Sequence, residues 1–171
     1  MSENVELIIR RSTAYIFDVV LLFTVLAPTA ILIEAVFGLQ PAANSQVWFA
    51  AVMSFSIPAW SYFIISDLSR RGMTAGKRIL KVKVTSTNSN KITFARALIR
   101  TAIKLSPWEL AHFFGFALAD SISQTVLSAG LAAANILILI YLVILVFKDG
   151  KMSLHDLVAK TEVILAKREA A

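Results

Sequence analysis

The chain has 171 residues, 57% of them hydrophobic, no cysteine and two histidines, His112 and His155. Disulfides and thiolate metal sites are therefore excluded, and two imidazoles make a histidine-rich zinc site unexpected. A soluble domain holds roughly 45–50% apolar residues; the surplus here is gathered into long runs, so the composition reads as an integral membrane protein with its +6 net charge placed mostly between them.

In chain order, the N-terminal MSENVELIIRRS is short, mixed in charge and without a small-residue cleavage site. It leads into an apolar run longer than a signal-peptide core, so a retained first helix is expected. Residues 14–37 meet the roughly 20 apolar residues a span needs, although they include Asp18. Gly, Pro and Asn in GLQPAANSQ mark a loop. The uncharged run 47–65 is a second span. Leu80–Val84 alternates apolar and polar residues, and Thr87, Asn88, Ser89 and Asn90 follow as turn formers. That pattern predicts a β-hairpin over about residues 79–93, outside the membrane. Residues 122–147 are a last uncharged span, and TEVILAK in the C-terminal segment 148–171 is a candidate third strand.

Residues 94–118 are long enough to cross a bilayer but hold Arg96, Arg100, Lys104, Glu109 and His112. The three cations recur every four residues, an arc of about 80° on a helix. Such a segment lies in the interface or forms a polar-striped helix within a bundle. Charge placement favours the bundle. Lys and Arg are enriched in cytoplasmic loops. Here they gather before the first span, between the second and third, and after the last, while 38–46 and the stretch around Asp120 hold none. Both termini then share the cytoplasmic side of the cell membrane, which needs an even number of crossings. The expected fold is an all-α membrane protein, a four-helix transmembrane bundle with a small cytoplasmic β-hairpin. Pro28, Pro58 and Pro107 each remove a backbone donor within a span, which membrane bundles tolerate.

An ionisable residue in the membrane is costly and wants a partner. Arg11 precedes Asp18 by seven residues, an offset of about 20° around the helix, and Arg96, Arg100 and Lys104 lie at a similar depth. The simplest reading is a charged cluster with Asp18 at its centre. It serves either as an ion or proton site or as a structural device holding helices in register. Glu109 and His112 are neighbours on one helix face, placed for a proton relay or a buried hydrogen bond. RGMTAGKR lacks the spacing and the Ser or Thr of a phosphate loop, so no nucleotide cofactor is expected. The basic loops suit anionic lipid head groups, and nothing points to nucleic acid. No nucleophile–base–orienter triad can be assembled, so no enzymatic activity is expected.

RRSTAYIFD, MTAGKRILKVKV, ARALIR, SPWELAHFF and LHDLVAKTEVI occur in this order, and together they resemble the RDD family of bacterial integral membrane proteins. The family's arginine and two aspartates map onto Arg11, Asp18 and Asp156. Two departures stand out: Ala75 where a bulkier residue or proline usually precedes the glycine, and Lys160 where glycine is usual. The resemblance implies transport, with sodium/proton antiport associated with some members. The expectation is a small cation/proton exchanger around Asp18, assembled as a homo-oligomer. The alternative is an accessory or scaffold protein in which the ion cluster is structural.

Overall fold

The structure, a computed structural model, describes residues 3–38, 43–88 and 91–166. Residues 39–42 of the expected loop, Ser89 and Asn90 of the expected turn, and Lys167 lie outside them.

Helix α1 spans Glu3–Phe37 and starts well before the apolar run. At 1.5 Å per residue it is about 52 Å long, against roughly 30 Å of hydrocarbon. Its first turns therefore extend beyond any bilayer core. They present Leu7, Arg11, Ala14 and Asp18 as one buried stripe, at the 4-3-4 spacing of a helix face. Leu7 and Ala14 pack with Val82, Val84 and Val163 in a small core.

Helix α2, Asn44–Ala51, widens into a π-helical turn over Val52–Ser56 and continues as α3, Ile57–Leu68. The widening falls where Pro58 offers no N–H to the carbonyl of Ser54. Helix α4, Ala75–Ile79, is capped by the Thr74 side chain. Helix α5, Phe94–His112, starts at the Thr93 cap and ends in a π-helical turn, Phe113–Ala117. Within it Pro107 frees the carbonyl of Ile103, which accepts instead from the hydroxyls of Ser106, at 2.8 Å, and Tyr141. Helix α6 is Gln124–Phe147, and α7 is Leu154–Ala159, closed by a capping box between Ser153 and Asp156.

The expected hairpin does not form. Strand β1, Val82–Ser86, pairs antiparallel with β2, Thr161–Leu165, in the register Val84↔Val163. The stretch after the turn leads into the Thr93 cap, because Phe94, Ala97 and Thr101 already follow a helical period. The segment TEVIL is the partner of β1, so the sheet is a non-local closure that clips the C-terminus onto the base of α1.

Among the described residues three helices are long and apolar enough to cross a membrane: Glu3–Phe37, Asn44–Leu68 and Gln124–Phe147. Their outer faces carry exposed Ile16, Val20, Ile31, Leu139, Val143 and Phe147, while Asp18, Asp67, Arg100 and Asp156 are buried. Apolar outside and charged inside is the pattern of a chain dissolved in lipid. Contacts among Arg11, Asp67, Arg100 and Asp156 gather the start of α1, the end of α3, the first turns of α5 and α7 at one end. At the opposite end Asn44 Nδ2 donates to Asp120 Oδ1 at 2.8 Å. The long segments thus run alternately away and back.

Candidate functional site: a buried ion lattice and its cavity

Asp18 is 1% exposed and bonded entirely by neutral donors. Thr74 Oγ1 donates to Oδ2 at 2.5 Å; Tyr62 Oη and the Gly76 N–H donate to Oδ1 at 2.7 and 2.8 Å. Tyr62 Oη in turn accepts from the N–H of Ala75 at 2.9 Å. Asp18 therefore seats the start of α4 against α1. The approach is so close that a Cβ on Gly76 would overlap the carbonyl oxygen of Ala14 and stand 3.0 Å from Asp18 Oδ1.

The ion pairs form a separate lattice. Arg100, 2% exposed, donates from Nε to Asp156 at 2.9 Å and from Nη1 to Asp67 at 2.5 Å. Lys77 Nζ is the second cation on Asp67, at 3.1 Å. Arg11 is the second cation on Asp156 and also donates to the carbonyls of Gly150 and Lys151 at 3.2 and 3.0 Å. Asp156 accepts further from Thr161 Oγ1 and the Ser153 N–H. Burial alone would raise the Asp156 carboxyl. The guanidiniums of Arg100 and Arg11 overcome it and hold Asp156 well below the usual carboxylate range. Burial pushes Lys77 below the ordinary lysine value, against the pull of Asp67. Burial first, then Arg100, Arg11 and Lys104, pushes His155 well below the ordinary histidine value despite Asp156. Nε2 of the His155 imidazole stands 3.1 Å from Arg11 Nη2 and 3.3 Å from Asp156 Oδ2.

The sequence-predicted cluster is thus divided. Arg11, Arg100 and Asp156 share one lattice. Asp18 stands beside it without an ion pair, so the pairing of Asp18 with Arg11 is not formed. Lys104 is 9% exposed with its Nζ 3.1 Å from the ring centroid of Phe63 and 5.6 Å from that of Tyr15. Among the described residues no carboxylate lies within ion-pair distance of it. Arg96 is elsewhere, donating to Ser86 Oγ at 2.6 Å. Glu109 accepts from Ser56 Oγ and Trp60 Nε1 at 3.1 and 2.9 Å, while His112 lies between Trp108 and Phe116 with Nδ1 unpartnered. No hydrogen bond joins Glu109 to His112. Asp67, Lys77, Tyr62, Thr74 and His155 belong to the site but were not singled out from sequence. The available signal was Asp67 closing the second apolar run just before the TAGKR motif.

A cavity of about 430 Å³ borders both parts of the site. Its lining combines Arg11, Asp18, Lys77, Arg100 and Lys104 with Trp108, Ala134, Ile138 and Leu142. Among the described residues no cluster of His, Cys, Asp and Glu could hold a metal ion.

The RDD family model matches residues 5–160, nearly the whole described chain. No curated protein and no solved structure matches it. The match covers Arg11, Asp18 and Asp156 together with the apolar helices, and on it this membrane protein belongs to the RDD family.

Proposed function

We propose that this RDD-family protein is a small ion transporter in which Asp18 is the proton-exchanging group and the Asp67–Arg100–Asp156–Arg11 lattice is a fixed frame. One observation carries the reading: of the three buried carboxylates, Asp18 alone is held by neutral donors, and it lines the cavity. Protonating Asp67 or Asp156 would strand buried cations, which costs about 3–5 kcal/mol when one partner of a buried pair is removed. Protonating Asp18 breaks no ion pair. Its carboxylate, with the hydroxyls of Tyr62 and Thr74, is also a set of hard oxygen ligands for Na⁺, K⁺ or Li⁺ in exchange. The cations on the same cavity oppose a free cation there, so any exchange is confined to the Asp18 oxygens.

In this reading α5 is the fourth passage, both termini lie on the cytoplasmic face of the cell membrane, and subunits associate as a homo-oligomer because four helices enclose little space. The alternation of the long segments and the basic loops at the lattice end support it. A second reading, an accessory protein with a purely structural lattice, is favoured by the saturation of Asp67 and Asp156, which ties α1, α3, α5 and α7 together. Proton flux into sealed proteoliposomes on addition of Na⁺, K⁺ or Li⁺ separates the two. Transport predicts flux in wild type that Asp18→Asn lacks; no flux from folded wild type for any of these ions leaves the accessory reading.

A further inference from the structure

The cavity carries one more positive charge than the site can neutralise. Arg11, Lys77, Arg100 and Lys104 stand against Asp18, Asp67 and Asp156, with His155 kept neutral by its burial. Lys104 is the member with no carboxylate at ion-pair distance among the described residues. Its neighbours are aromatic rings, which attract a cation but give it no counter-charge. Two more residues of the cavity wall, Trp108 and His155, have unpartnered ring nitrogens at Nε1 and Nδ1. The Lys104 ammonium and the Trp108 ring nitrogen are donors, and a buried donor left unmade is costly. The ligand that completes this wall is an anion.

Much of the remaining lining is apolar, and it includes Ile16 of α1 and Ala134, Ile138 and Leu142 of α6. These helices do not pack along one another: α6 leans on α5, and α1 on α4 and the π-helical turn of the second span. The cavity therefore faces the bilayer between them, where Ile16, Ile138 and Leu142 are exposed. A cationic wall beside apolar, lipid-facing side chains fits an anionic amphiphile. We infer that this cavity receives an anionic phospholipid sideways from the bilayer, its phosphate at Lys104 and the start of its acyl chain against Ile138 and Leu142. The volume, about 430 Å³, lies in the usual range of ligand pockets and holds the head region rather than a whole lipid. The inference does not require transport.

The test is the affinity of the purified full chain, in neutral detergent, for phosphatidylglycerol, phosphatidylcholine and inorganic phosphate, read by native mass spectrometry and thermal shift. Phosphatidylglycerol should bind about tenfold or more tighter than phosphatidylcholine, and raise the melting temperature by mass action. Lys104→Gln should remove that preference and Lys104→Arg keep it. Because Lys104→Gln alters a buried charge, Ile138→Trp serves as a second variant, closing the gap between α1 and α6 without touching the ions; it too should remove the preference. Lys83→Gln, on the strand outside the cavity, should leave it intact. Equal affinity for the two lipids would overturn the inference. So would a preference that survives both Lys104→Gln and Ile138→Trp, which would place it on the basic loops. Inorganic phosphate binding as tightly as phosphatidylglycerol would overturn the lipid source. Loss of ion flux with lipid preference retained would count against transport alone.

Discussion

Arg11 and Asp18 stand seven residues apart on one buried stripe of α1 and share no bond. Arg11 reaches out to Asp156 beyond the last long helix, whereas Asp18 turns to the hydroxyls of Tyr62 and Thr74 and the amide of Gly76. The separation gives the two residues different work, and substitution should separate them too. Arg11→Gln and Arg100→Gln each leave a buried carboxylate short of a cation and should destabilise by about 3–5 kcal/mol. Asp18→Asn loses charge-assisted acceptance without stranding an ion partner and should cost about 1–3 kcal/mol. Denaturation in detergent gives the order; Asp18→Asn as damaging as Arg100→Gln would contradict the division.

Acid should act through His155 first. Its folded value lies well below its ordinary 6.5, so below that pH the unfolded chain binds a proton the folded chain refuses, and stability falls as pH drops. Asp156 adds a second loss further down. It is held below its ordinary 3.8, so its contribution is full above that value and disappears as pH falls through the folded one. Thermal melts between pH 7 and 5 should therefore decline in wild type and flatten in His155→Gln.

Gly76 is required by closeness. The overlap of a Cβ with the Ala14 carbonyl should make Gly76→Ala cost about 1–3 kcal/mol through overpacking. The loosened α4 would also weaken the Asp18 contacts. A melting temperature unchanged by this substitution would show that α4 is not seated as described.

Lys160 ends α7 at φ +54°, the left-handed region. A non-glycine residue there costs about 1–2 kcal/mol, partly offset in the unfolded chain by the greater freedom of glycine. Lys160→Gly should stabilise the protein by about 0.5–1 kcal/mol, visible as a raised melting temperature.

Much of this architecture is legible in the residues themselves. The apolar runs locate the long helices because lipid demands continuous length, and the motif resemblance draws attention to Arg11, Asp18 and Asp156. What eluded reading is non-local. Val82–Ser86 has a strand pattern but nothing in it names a partner, and the turn formers after it suggest a neighbour when the true partner is Thr161–Leu165. Likewise a seven-residue spacing brings Arg11 and Asp18 to one helix face, yet cannot show that Asp156, 145 residues later, offers the better geometry. Asp67 and Lys77 sit at segment edges, where charge ordinarily means solvent; only the packed ends of α3 and α4 turn them inward.

The most direct measurement of the central claim is the initial rate of proton movement in sealed proteoliposomes after a step of Na⁺, K⁺ or Li⁺. Wild type, Asp18→Asn and Asp18→Glu would be compared at matched incorporation and verified fold. The account predicts ion-dependent flux in wild type, none in Asp18→Asn and partial recovery in Asp18→Glu. Flux in Asp18→Asn equal to wild type would contradict it, and would move the exchanging group away from Asp18.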